Sequence, residues 1–194
     1  MMPRYLQMLR WVGIGILSVL LAMAPLPGPL AQHPSDPPGA PTVTTPLENN
    51  WLQTLASLFG PALTTAIRQG RERAYPHGQK IPEAIHRTLV PFFPLPVLQK
   101  VRYSTTWRDE ATQDPLYSVL LGTGANAVTL IDVIIFRDAH QAADPVLWAH
   151  ELTHVEQYDR LGVEAFAEQY LQQGWMLEQE AYTRADTIKR QLAR

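Results

Sequence analysis

From Asp144 to Arg194 the sequence is helical in pattern, and its only glycines are Gly162 and Gly174. No other feature constrains the fold as strongly, because amphipathic helices must bury a face on one another or on a sheet. Asp144 is a good N-cap. Pro145 suits the first helical position, where its missing N–H has no intrahelical partner to lose. With both glycines acting as helix stops, three helices are expected, roughly 145–161, 163–173 and 175–192. Val146, Leu147, Leu152 and Val155 belong to the buried side of the first, and Glu156, Asp159 and Arg160 to its wet side. Trp148, Phe166, Tyr170 and Trp175 supply the apolar bulk that holds the three together.

The first of these helices carries His150-Glu-Leu-Thr-His154. At about 3.6 residues per turn, the two imidazoles lie one turn apart on one face, where both can bind the same tetrahedral metal. Glu151, beside the first histidine, has the chemistry of a general base toward a metal-activated water. Two histidines do not complete such a site, and the chain contains no cysteine. The third ligand must therefore be another histidine or a carboxylate. Glu178 is the preferred candidate, with Glu180 second and His140, on the loop before the helix, third.

Upstream the signals are shorter. "LENNWLQTLASLFG" places Trp51, Leu52, Leu55, Leu58 and Phe59 on a helical stripe, which Gly60-Pro61 should interrupt before a second short helix ending near Gly70. "IPEAIHRTLVPFF" predicts another helix between Pro82 and Pro91. "PFFPLPVL" is too rich in proline for a regular element. "KVRYSTTW" (100–107) and "AVTLIDVIIFRD" (127–138) are β-prone, with Gly122 and Gly124 at the turn before the second. The second run should lie as an edge strand along the cleft, placed to receive an extended peptide by main-chain hydrogen bonds. The fold class is thus α+β: a short antiparallel sheet followed by a helical C-terminal half.

Arg4 and Arg10 precede an unbroken apolar run, Trp11 to Ala24. A membrane span needs about 20 apolar residues, so this run suits the core of an export signal better. Residues 1–31 read as a signal peptide or an N-terminal anchor, 32–46 as a Pro-rich linker and 47–194 as the folded domain. Either reading of the N-terminus places the domain outside the inner compartment, periplasmic or extracellular. Contact with a membrane is expected only through an uncleaved N-terminal segment. The net charge of −2 and the lack of a Lys/Arg-rich run argue against a nucleic-acid partner.

The block "WAHELTHVEQY", with "EQEAY" downstream, resembles the metallopeptidase-like core domain of bacterial extracellular contractile injection systems, whose signature is His-Glu-Leu-x-His-Val-x-Gln. The likeness runs from about Val101 to Ala185. More distantly the block is similar to gluzincins, in which a glutamate on a later helix completes the zinc site. The resemblance implies a zincin-like fold, Zn2+, His150, His154 and Glu178 as ligands, Glu151 as base, and a protein or peptide substrate. An aspartate usually follows the ligand glutamate by four and orients a ligating histidine; here that position is Tyr182. Asp186 lies one turn further on and is the candidate substitute, while Tyr182 is either a helix contact or a donor to an oxyanion. The functional expectation is a zinc-dependent peptidase. A non-catalytic module that keeps the fold for protein binding or envelope assembly is the alternative, and a metal-free helical domain is the third reading.

Overall fold

The computed structural model describes residues 50–105 and 125–194. The expected signal or anchor, the proline linker, Trp107, Gly122 and Gly124 lie outside the described residues. The order is α1 (Asn50–Ala74), a 3-10 turn (Tyr75–His77), β1 (Gln79–Lys80), α2 (Glu83–Leu89), α3 (Leu95–Lys100) and β2 (Arg102–Ser104). Then come β3 (Ala127–Leu130), β4 (Val133–Phe136), a 3-10 turn (Gln141–Ala143), α4 (Pro145–Leu161) and α5 (Val163–Leu192). The fold is α+β and mostly helical. Among the described residues no helix is long and apolar enough to cross a membrane.

Two upstream helices depart from expectation. Pro61 does not divide α1, which runs unbroken from Asn50 past Gly70 to Ala74. One lost backbone hydrogen bond is outweighed by a continuous buried stripe of Ala56, Thr64, Ile67 and Ala74, and Arg68 pairs with Glu164 of α5. The proline-rich stretch forms α3, with Pro94 as its cap and Pro96 in its first turn, where missing N–H groups cost nothing.

The sheet has the order β1-β2-β4-β3. It is mixed rather than purely antiparallel: β1–β2 and β3–β4 are antiparallel, but β2 and β4 run parallel. A parallel neighbour needs a long connection, and here the return passes through β3 before β4 enters beside β2. The β-prone run is therefore a hairpin and not a single edge strand. It turns at Ile131-Asp132, with Ile131 at φ 62°. Asp132 is gripped by Arg71 of α1 through Nε (2.7 Å) and NH2 (2.9 Å), so a tertiary ion pair braces a turn that a β-branched residue would not choose. Of the two hairpin strands, β3 lies at the edge of the sheet and β4 is internal, while β1 is the opposite edge among the described residues.

β4 is buried on both faces, which explains its uninterrupted Val-Ile-Ile-Phe. Ile134 and Phe136 meet Leu89, Val101, Trp148, Leu152 and Val155 in one core. Val133 and Ile135 meet Ile67, Tyr158, Phe166 and Leu177 in the other.

Asp144 caps α4 as expected, its Oδ1 accepting from the Val146 N–H at 2.8 Å. Gly162 ends the helix at φ 77°, ψ 164°, a conformation essentially reserved for glycine. Gly162→Ala should therefore cost about 1–3 kcal/mol in chemical denaturation, although the space around a new Cβ is open. A cost near zero would show that the α4–α5 corner is free to relax. The other expected boundary survives as a kink: α5 continues through Gly174, but Gln173 is non-helical at φ −148°, ψ 41°.

Candidate metal centre

Every residue from Trp148 to Val155 is buried. Leu152 and Val155 do so against the sheet side, while His150, Glu151 and His154 are polar and need partners. These come from α5 and β3. On α5, Leu177, Glu178, Ala181, Ala185 and Ile188 form one buried stripe, whose two alanines permit close approach to α4. Outside the contact, Arg184 pairs with Glu156 at 2.7 Å. The kink at Gln173 lets Tyr170 double back over Glu178.

His150, His154 and Glu178 come together, each offering one ligand atom, all within 4.8 Å of one another. The two Nε2 atoms are 3.1 Å apart. Glu178 straddles them, with Oε2 3.4 Å from His150 Nε2 and Oε1 3.6 Å from His154 Nε2. The group is close enough to hold a metal ion. Relative exposures of 7%, 6% and 8%, with 4% for Glu151, leave little room for water to satisfy these groups instead.

The environment prepares the donors. Burial pushes the Glu178 carboxyl up, but the His154 and His150 rings and the Tyr170 hydroxyl outweigh it, and its pKa falls to about 2. Burial disfavours a charged His150, yet its hydrogen bond to Glu178 and the nearby Glu151 and Glu178 charges raise its pKa. Tyr170 donates its hydroxyl to Glu178 Oε1 at 3.2 Å, and burial with the Glu178 charge keeps that proton in place. Glu151 Oε2 accepts from the Thr129 hydroxyl of β3 at 2.6 Å.

His154 Nδ1 faces Gln157 Oε1 at 2.8 Å. The Gln157 amide nitrogen donates to Leu177 O and to Glu180 Oε2, both at 3.0 Å. Because both of those partners are pure acceptors, the amide oxygen must be the atom facing His154, and Nδ1 must carry the proton. His154 Nε2 is then a bare lone pair. The contact between the Nε2 atoms requires His150 to be the donor there. His150 Nδ1 is buried with no hydrogen-bond partner among the described residues.

The remaining candidates separate cleanly. Glu180 is not in the cluster: it accepts from Arg160 NH1 (3.0 Å) and NH2 (2.9 Å) as well as from Gln157. Two residues along a helix is more than half a turn, so Glu178 and Glu180 cannot both face α4. His140 and Asp186 are exposed and outside the cluster, and Asp186 does not stand in for the missing orienting aspartate. Tyr182 packs its ring on His150, centroids 4.4 Å apart, and burial together with Glu178 and Glu151 pushes its hydroxyl up to about 12. Gln157, Thr129 and Tyr170 were not anticipated. Gln157 stands at the last position of the His-Glu-Leu-x-His-Val-x-Gln signature, which was its only signal; the other two gave none.

These residues define an α+β chain with a buried two-histidine, one-carboxylate donor set on a helix pair. Residues 80–162 match the family model of the eCIS core domain. The match spans β1 to the end of α4, so it takes in His150, Glu151, His154 and Gln157 and stops before Glu178. It begins earlier and ends earlier than the likeness read from the sequence. Comparison with curated proteins and with solved structures gave no match.

Proposed function

We propose that the chain is a zinc-dependent peptidase of zincin-like, gluzincin type, acting on protein or peptide substrates outside the inner compartment. The carrying observation is the donor set, with Glu151 buried beside it. Zinc arms of about 2.0–2.2 Å give tetrahedral edges of about 3.3–3.6 Å. The 3.4 and 3.6 Å separations, each to a different oxygen of Glu178, fall in that range, and the 3.1 Å between the Nε2 atoms lies just below it. His150 Nε2, His154 Nε2 and Glu178 would hold the ion. A zinc ion held there would supply Lewis-acid polarisation of a carbonyl and make water acidic near neutral pH. Glu151 then takes the proton of the attacking water and returns it to the leaving amine, while Thr129 keeps its carboxylate in one orientation. Tyr182 remains a neutral donor beside His150. β3, as an edge strand, offers main-chain groups to an extended peptide.

One observation favours the non-catalytic alternative, a structural metal centre in a binding or envelope-assembly module. The donors are almost wholly buried, and His150 Nδ1 lacks an orienting partner among the described residues. Zinc content and casein cleavage by the full chain separate the readings. The peptidase reading expects about one zinc per chain, cleavage abolished by a chelator and restored by zinc, and loss of both in His154→Ala. Zinc without any cleavage supports the structural centre. Absence of zinc overturns both.

A further inference from the structure

We propose that Gln157 is a positioning residue for the metal centre, held by Glu180 and Arg160 so that His154 presents only its Nε2 lone pair. The assignment rests on the metal-site reading above but concerns a different residue and a different atom. It follows from counting donors and acceptors. Gln157 is fully buried at 0% exposure, so each of its polar atoms must find a partner inside the protein. Its amide hydrogens go to Leu177 O and Glu180 Oε2, each at 3.0 Å. Its oxygen is left for His154 Nδ1 at 2.8 Å. A flipped amide would set an oxygen against a carbonyl and a carboxylate, two repulsive contacts in place of two hydrogen bonds whichever tautomer His154 adopts. Glu180 is in turn fixed by the two-pronged Arg160 contact, and Gln157 sits one turn along α4 from the histidine it serves.

The chain Arg160–Glu180–Gln157–His154 ties α4 to α5 at the level of Glu178. It therefore sets both the tautomer of one ligand and the distance to another. His150, whose Nδ1 has no such partner among the described residues, depends on the geometry that His154 and Glu178 define. Groups that orient ligating histidines typically matter 10–100-fold in metal affinity.

The test uses the full chain and zinc itself as the probe, with two readouts. In the metal-free protein, long-range 1H–15N NMR should show His154 as the Nδ1–H tautomer. In zinc titrations, Gln157→Leu should weaken affinity about 10–100-fold with the fold retained by circular dichroism. The swap Gln157→Glu with Glu180→Gln keeps an acceptor toward His154 and a donor between positions 157 and 180 but sets an oxygen against Leu177 O, so it should recover only part of that loss. Should Gln157→Leu not fold, Gln157→Asn, which withdraws the oxygen by one methylene, is read in the same assays. A folded variant with wild-type zinc affinity, or an Nε2–H tautomer in the metal-free wild type, overturns the assignment and leaves the peptidase reading standing. A wild type that takes up no zinc overturns the metal reading, and the ligand-positioning role with it.

Discussion

Glu151→Gln should lower peptide cleavage by about 10²–10⁴-fold while zinc content stays at the wild-type level. The substitution nearly preserves shape. Thr129 can still donate its hydroxyl to the amide oxygen as it does to Glu151 Oε2 at 2.6 Å. What disappears is an oxygen able to take a proton from water, since an amide nitrogen in that place is a donor. His150, His154 and Glu178 are untouched, so a fall in activity without loss of metal isolates the base from the ligands. Initial rates on casein and metal analysis on the same preparation decide the matter. Cleavage that survives the change, with zinc bound, would remove Glu151 from the chemistry and leave the metal centre without a peptidase mechanism.

Trp148→Ala should cost about 3–5 kcal/mol of folding stability, the usual range for emptying a large aromatic site. Trp148 is fully buried, two residues before His150. Its ring meets Phe136 at 4.7 Å and Tyr103 edge-on at 5.3 Å. Its Nε1–H donates to Ala142 O at 2.8 Å, which fixes the turn leading into α4. Truncation leaves a cavity between α4 and the sheet and a buried carbonyl without its donor. Trp148→Phe refills much of the volume and should recover part of the loss, the Ala142 carbonyl remaining unpaired. Urea denaturation of the full chain measures both. A loss under about 1 kcal/mol for the alanine variant would mean that the α4–sheet core does not depend on this side chain.

Much of the centre was legible because its signals are local. The Asp144 cap, Pro145, the one-turn spacing of His150 and His154 and the Gly162 stop each depend on a few adjacent residues, and helix physics reads such stretches directly. Glu178 was legible only as a preference over Glu180 and His140. The decision between the two glutamates belongs to the α4–α5 contact, where Ala181 and Ala185 let the helices close and place Glu178 inward. The hairpin within 127–138 was missed because Ile131-Asp132 is not a usual hairpin dipeptide such as Asn-Gly or Asp-Gly; Arg71, about sixty positions earlier, supplies the restraint. Pro61 and Pro96 were read as breaks because their neighbours alone could not show what burial or first-turn placement compensates.

The sequence by itself therefore determined a helical C-terminal half, a short β-prone centre and a pair of histidines on one helix face, all consequences of short-range geometry. Only the tertiary structure decided which carboxylate joins the histidines, which hydroxyl holds Glu151 and which amide holds His154. The physical reason is burial. Once α4 is buried from Trp148 to Val155, each polar group there must be answered by a partner. Those partners, Glu178, Thr129 and the Leu177 and Glu180 acceptors of Gln157, lie more than twenty residues away or on another element, where no local pattern can announce them.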